Sequence, residues 1–393
     1  MASIGPMTDT RLYMDWNATA PLDPAARDAV LSALALPGNA SSVHREGRAA
    51  RAVIEAARRD VAALVATKPA HVIFTSGATE AASLVLTPSM RMGRAPLAIG
   101  HLYVSAIEHP ALRSGGRFPA DRITEIKVTA SGMVDLEALE ALLAAHDAAS
   151  GLPMVAVMLA NNETGIVQPV AEVGEIVRRA GGVFVVDAVQ GAGRLPLSFE
   201  AIGCDFLILS SHKIGGPKGA GALVSAGEVM MPTPLIAGGG QEKGHRSGTE
   251  NVAAIAGFGA AARVAAEELA ERNVAIARRR DEIETGMRRI APDVIFYGVD
   301  GPRLPNTSFF TLPGLPAETG QIAFDLEGVA LSAGSACSSG KVGESHVLVA
   351  MGQNAKRGAL RLSIGPTTSD ADAERFLGVF ERIAARRRKA HAA

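Results

Sequence analysis

The 393-residue chain has a formal net charge of −1, with 48% hydrophobic and 20% charged residues. This composition excludes a disordered or fibrous chain and gives no overall basic character for binding nucleic acid. A chain beyond the roughly 250–300 residues at which one core stops growing is expected to divide into a large and a small domain.

Short runs rich in Val, Ile, Leu and Phe recur between helical patterns, at residues 71–74, 154–159, 183–186 and 206–209. Helices are expected between them, from Thr79 onward and over residues 170–180. Such alternation is the mark of βαβ units and a mostly parallel sheet. After Gly257 the pattern turns long, charged and amphipathic, with Leu269, Ile276, Ile283, Met287 and Ile290 on one helical face until Pro292 ends it. Strand-like pieces follow at 294–296, 306–311 and 358–363, then a last helix from Asp370. The run Arg386-Arg387-Arg388-Lys389 reads as a solvated helix end. The fold class expected is α/β, with residues 15–260 as the large domain and 1–14 with 261–393 as a smaller α+β one.

Two cysteines without a CxxC spacing and nine histidines without HExxH indicate neither a disulfide framework nor a common zinc site. No metal is expected. The first 16 residues lack the regions of a signal peptide, and no run of about 18 apolar residues follows, so a cytoplasmic protein without a membrane span is expected.

Ligands of open α/β sheets bind beyond the carboxyl ends of the strands. There this sequence is polar four times over: Thr75-Ser-Gly-Ala-Thr79, Ala160-Asn-Asn162-Glu163, Asp187-Ala-Val-Gln190 and Ser210-Ser-His212-Lys213. Ser76 to Thr79 would offer backbone N–H groups to a phosphate, or serve as a plain N-cap. Asp187 at the end of an apolar run needs a cation, either a protonated pyridine nitrogen or a structural arginine. Lys213 is one of eight lysines and stands either as a Schiff-base amine or as a surface residue. Cys337, within Gly334-Ser-Ala-Cys337-Ser-Ser-Gly340, is placed as an accessible nucleophile should be, whereas Cys204 precedes an apolar run as a buried small residue would. Arg361 would clamp a carboxylate or form a structural ion pair.

These residues, with Tyr13-Met-Asp-Trp-Asn17-Ala-Thr19, Gly38 to His44, Glu108-His109-Pro, Gly238-Gly-Gly-Gln-Glu, Arg246-Ser-Gly-Thr249 and Arg361-Leu-Ser-Ile-Gly365, make the chain resemble the cysteine desulfurase family of the NifS/IscS type. These are class V aminotransferase-like enzymes of pyridoxal 5′-phosphate (PLP) fold type I. The resemblance implies that Lys213 bears PLP as a Schiff base, with Asp187 on the pyridine nitrogen and Asn162 and Gln190 near the ring hydroxyl and substrate. It implies that His109 stacks on the ring and moves protons. Ala78, Thr79, Ser210 and His212 would hold the phosphate, helped by Thr249 from the second subunit of a homodimer. Asn162 and Arg361 would bind the substrate L-cysteine. Cys337 would accept its sulfur as a persulfide and deliver it to an acceptor protein, such as an iron–sulfur scaffold. Alternatives are a selenocysteine lyase or another fold-type I enzyme, or a non-catalytic assembly subunit; the Lys213, Asp187 and Cys337 of an active enzyme are all present.

Overall fold

The computed structural model describes residues 11–334, 344–353 and 358–392, so Cys337 lies outside the described residues. Nine strands build the main sheet: β1 (Val72–Thr75), β2 (Ser89–Met92), β3 (Ala95–Ser105), β4 (Ile123–Ile126), β5 (Leu152–Met158), β6 (Val183–Asp187), β7 (Phe206–Ser210), β8 (Gly221–Ser225) and β9 (Met230–Pro232). They lie in the order β9-β2-β3-β5-β6-β7-β8-β1, with β4 also paired to β3. The central β3, β5, β6 and β7 are parallel. β8 runs antiparallel to both β7 and β1, which leaves β1 pointing the same way as β7.

Helices cover both faces, so the central strands are apolar without alternation, as buried parallel strands are. On one face Val155, Val157, Phe184, Val186, Leu207 and Leu209 pack beneath α1 (Arg45–Leu64), α3 (Val170–Arg179) and α4 (Val252–Glu267). On the other, Met154, Ala156, Val185, Phe206 and Ile208 pack against α2 (Ala78–Val85). All four expected strand runs are present, shifted by a residue or two.

The long amphipathic pattern is the end of α4 followed by a separate α5 (Leu269–Ile290), whose Ile276, Ile283 and Met287 are buried. Between them Glu268 leaves helical geometry at φ −102° and ψ 3°. A second, antiparallel sheet holds β10 (Ile295–Tyr297), β11 (Thr307–Thr311), β12 (Ser332–Ala333) and β13 (Leu360–Ser363), in the order β10-β11-β13-β12. Its core joins Leu12 and Met14 to α5 and to α6 (Asp370–Ala392), with the rings of Phe324 and Phe376 stacked at 5.6 Å. The basic run on α6 is solvent-exposed as expected at Arg386, Arg388 and Lys389, while Arg387 is part-buried. Arg386 pairs with Glu327, and Arg387 binds both Asp293 and the Pro313 carbonyl.

Candidate active site

The carboxyl ends of β1, β5, β6 and β7 open on a cavity of about 440 Å³. Its wall contains Ala78, Thr79, His109, Asn162, Asp187, Gln190, Ser210, His212, Lys213 and Arg361. Of the remaining expected site residues, Thr249 lies instead on a neighbouring cavity of about 180 Å³ that also touches Ser76 and Gly219. Cys337 lies outside the described residues.

Lys213 ends a 3₁₀ turn, Ser211–Lys213, that caps β7, and its Nζ donates to the carbonyls of Asn17 (2.7 Å) and Ala18 (2.9 Å). Asp187 is the last residue of β6, and its Oδ1 accepts from the Val189 amide at 2.9 Å. Burial pushes this carboxyl up to about 6, against the pull of that N–H and of Lys213. A carboxylate so desolvated is favourable only beside a cation, which a protonated pyridine nitrogen supplies. His109 caps the short helix Pro110–Arg113, its Nδ1 accepting from the Ala111 amide at 3.2 Å, so the neutral ring carries its proton on Nε2. Burial first, then Lys213 and His346, lower its pKa to about 4, and it is neutral at pH 7. His212 is likewise lowered to about 4, by burial and then Lys213, Lys218 and Arg194.

The opposite wall is the start of α2. Gly77 stands at its N-cap and no side chain caps it, so first-turn N–H groups are left for an anion. Thr75 Oγ1 donates to the Gly77 carbonyl (2.9 Å) and the Ser76 amide to Glu80 Oε2 (2.8 Å), which hold the loop without closing it. The segment supplies the N-cap through Gly77, without a side-chain cap. Gly221 on β8 passes so near that a Cβ would lie 2.6 Å from the Gly77 carbonyl carbon, and glycine is required for this approach.

Gln190 donates from Nε2 to the Asn17 carbonyl (3.0 Å) and accepts from Arg194 at 2.6 Å, which leaves one amide hydrogen for a ligand. Arg361 lines the cavity and is ion-paired to Asp15 at 2.7 Å, so the structural ion pair expected of it is present. Burial pushes the Cys204 thiol up, as befits the buried residue expected. Sequence reasoning gave no role to Asn17, Thr19 or Lys218, which also line the cavity. Nor did it give a role to Glu108, which is fully buried, accepts from the Met158 amide, and is raised well above the carboxylate range by burial and by Asp187. Among the described residues no group of acidic, histidine or cysteine side chains could hold a metal ion, and no helix is long and apolar enough to cross a membrane.

An amine, a buried carboxylate and an uncapped helix start, facing one another across the carboxyl edge of a mainly parallel sheet, suit a cofactor with an aldehyde, a basic ring nitrogen and a phosphate. That combination defines the class of fold-type I PLP enzymes. Residues 12–376 match the aminotransferase class-V family, and the chain belongs to it. It is 37% identical to an IscS-like cysteine desulfurase of Mycobacterium tuberculosis, covering 96% of this chain and 97% of that one. A cysteine desulfurase of a Frankia species is 39% identical, over 91% of this chain and 87% of the other. Among solved structures, a NifS-like protein from Rickettsia africae superposes with a TM-score of 0.85 at 35% identity, covering 95% of this chain and 99% of that one.

Proposed function

We propose that this protein is a cysteine desulfurase that converts L-cysteine to L-alanine and leaves the sulfur as a persulfide on Cys337. The observation that carries the reading is the meeting of Lys213, Asp187, His109 and Arg361 on one cavity, in a chain whose relatives bear that activity in their names. PLP bound there supplies an electron sink that labilises bonds at the substrate's α and β carbons. Lys213 holds it through Nζ, Asp187 keeps the ring nitrogen protonated, and Ala78, Thr79, Ser210 and His212 hold the phosphate. Arg361 and Asn162 orient the substrate carboxylate, and Lys213 Nζ, once free, takes the proton from the α-carbon. His109, neutral with its proton on Nε2, covers the ring and passes a proton without bringing a second cation beside Lys213. The Cys337 thiolate attacks the substrate sulfur, forming the S–S bond as the Cβ–S bond breaks.

The rest of the reading follows the same division of labour. Residues 15–260 serve as the cofactor-binding unit, and 1–14 with 261–393 as the unit that brings Cys337. Thr249 is separate from the main cavity of its own chain, which fits a homodimer in which Thr249 of the partner subunit completes the phosphate cup. A cytoplasmic setting and an acceptor protein such as an iron–sulfur scaffold belong to this proposal too.

Purified, PLP-loaded protein incubated with L-cysteine and a thiol reductant is expected to release alanine and sulfide in equal amounts. Cys337→Ser should keep the cofactor's colour and make neither. A yellow wild-type protein that forms no alanine would overturn the reading.

A further inference from the structure

Arg361 sits on β13 between two antiparallel neighbours, opposite Phe309 on β11 and Ser332 on β12, so its backbone is fixed from both sides. Its guanidinium is only 3% exposed and has five N–H donors, of which the protein uses few. One terminal nitrogen donates to Asp15 Oδ1 at 2.7 Å and the other to the Asn162 carbonyl at 2.9 Å. Nε is buried and has no hydrogen-bond partner among the described residues. A buried donor left unmade is costly, and on the wall of a cavity this one points to a ligand acceptor. Asp15 is itself held, because its Oδ2 accepts from Ser332 Oγ at 2.8 Å and its backbone bridges to Ser363. The ion pair thus fixes the rotation of the guanidinium without using its Nε donor.

We propose that Asp15 is the positioning residue for substrate recognition: by pinning one terminal nitrogen of Arg361 it presents the Nε side of the guanidinium to the carboxylate of L-cysteine. This rests on the reading of Arg361 as the carboxylate site. Because Asp15 balances the charge of Arg361, recognition depends on the direction of the donors more than on net positive charge. Loss of Asp15 should therefore be felt only by ligands that have a carboxylate.

The test uses PLP-loaded protein in a Cys337→Ser background, so that sulfur is not removed, and follows the cofactor absorbance while L-cysteine or cysteamine, which lacks the carboxylate, is added. Asp15→Ala should raise the half-saturating L-cysteine concentration about tenfold or more and shift that for cysteamine less than about twofold. Asp15→Asn keeps an acceptor in the same place, is the safer variant for folding, and should recover at least part of the L-cysteine affinity. Equal losses for both ligands, no loss for L-cysteine, or no recovery in Asp15→Asn would overturn the proposal. A parent protein that binds L-cysteine no better than cysteamine would instead remove Arg361 as the carboxylate site, and the proposal with it.

Discussion

Burial moves the proton affinities of this site's groups away from their values in water, and the cost shows before the cofactor binds. Asp187 has its pKa raised to about 6 by burial, so between the ordinary carboxylate range and that value the folded apo-protein holds a proton that the unfolded chain has released. Stability from this group is present at low pH and lost as pH rises through about 6. His109 and His212 act in the opposite sense: lowered to about 4, they stay neutral while the unfolded chain takes up protons, so their burial costs stability as pH falls from about 6.5 toward 4. Asp187→Asn should then stabilise the apo-protein by about 1–3 kcal/mol at pH 8, with the gain vanishing near pH 4, while weakening PLP binding at least about tenfold. Urea unfolding of apo-protein at the two pH values decides this; equal midpoints at pH 8 would sink it. Lys213 and Asp187 were legible in the sequence because each follows an apolar run ending on one sheet edge, whereas His109 entered only through the family resemblance. Asp15 was not legible, since its meaning depends on a partner 346 positions away.

The cavity wall at the start of α2 depends on the close approach of two elements, the β8 strand and the loop that opens α2. β1 ends the sheet, and its edge, which no further strand pairs, is fastened by the buried Glu242, which accepts from the Phe74 amide at 2.9 Å and grips Arg58 through two bonds of 2.7 Å. Glu242 reaches this position with φ +45°, a conformation that non-glycine residues rarely adopt. Arg246, four residues on, binds Glu80 of α2 at 2.9 Å. The loop is thus anchored by α2, by β1 and by the 241–251 segment, and cannot simply move aside. Gly221→Ala, which sets a methyl group 2.6 Å from the Gly77 backbone, should displace the uncapped N–H groups and weaken PLP binding about tenfold or more. Equilibrium titration of apo-protein with PLP measures it, and unchanged affinity would show that the loop yields more freely than its anchors suggest. Strand positions could be read from apolar runs because burial on both faces removes polar residues. The antiparallel edge formed by β8 and β1 could not, because pairing direction leaves no periodicity, and the stop at Glu268 falls among good helix formers.

The N-terminal segment ties the whole molecule together as it runs from the smaller core to the cavity. Leu12 and Tyr13 pair in parallel with Val329 and Ala330, and Trp16 lies so close to Gly365 that a Cβ there would come within 2.2 Å of its ring. Asn17 is the junction: wholly buried, it donates from Nδ2 to Thr307 Oγ1 (2.9 Å) and the Asn162 carbonyl (3.3 Å), and accepts from Asn306 at 3.0 Å. Its backbone N–H reaches Ser363 Oγ at 3.0 Å, and its carbonyl receives Lys213 and Gln190. The side chain thus joins β11 and the adjoining Asn306 to the turn bearing Asn162, while the main chain reaches Lys213. Asn17→Ala separates these two functions. It takes one acceptor from the Asn306 amide, which keeps the Ile364 carbonyl, and removes the Thr307 and Asn162 contacts, at an expected cost of about 2–4 kcal/mol in unfolding free energy. Backbone groups remain, so Lys213 keeps its acceptors and PLP should still attach, giving a yellow protein that unfolds at lower urea. A colourless variant would mean that the side chain also sets the lysine, and one as stable as wild type would mean that the apolar contacts alone hold the two cores in place.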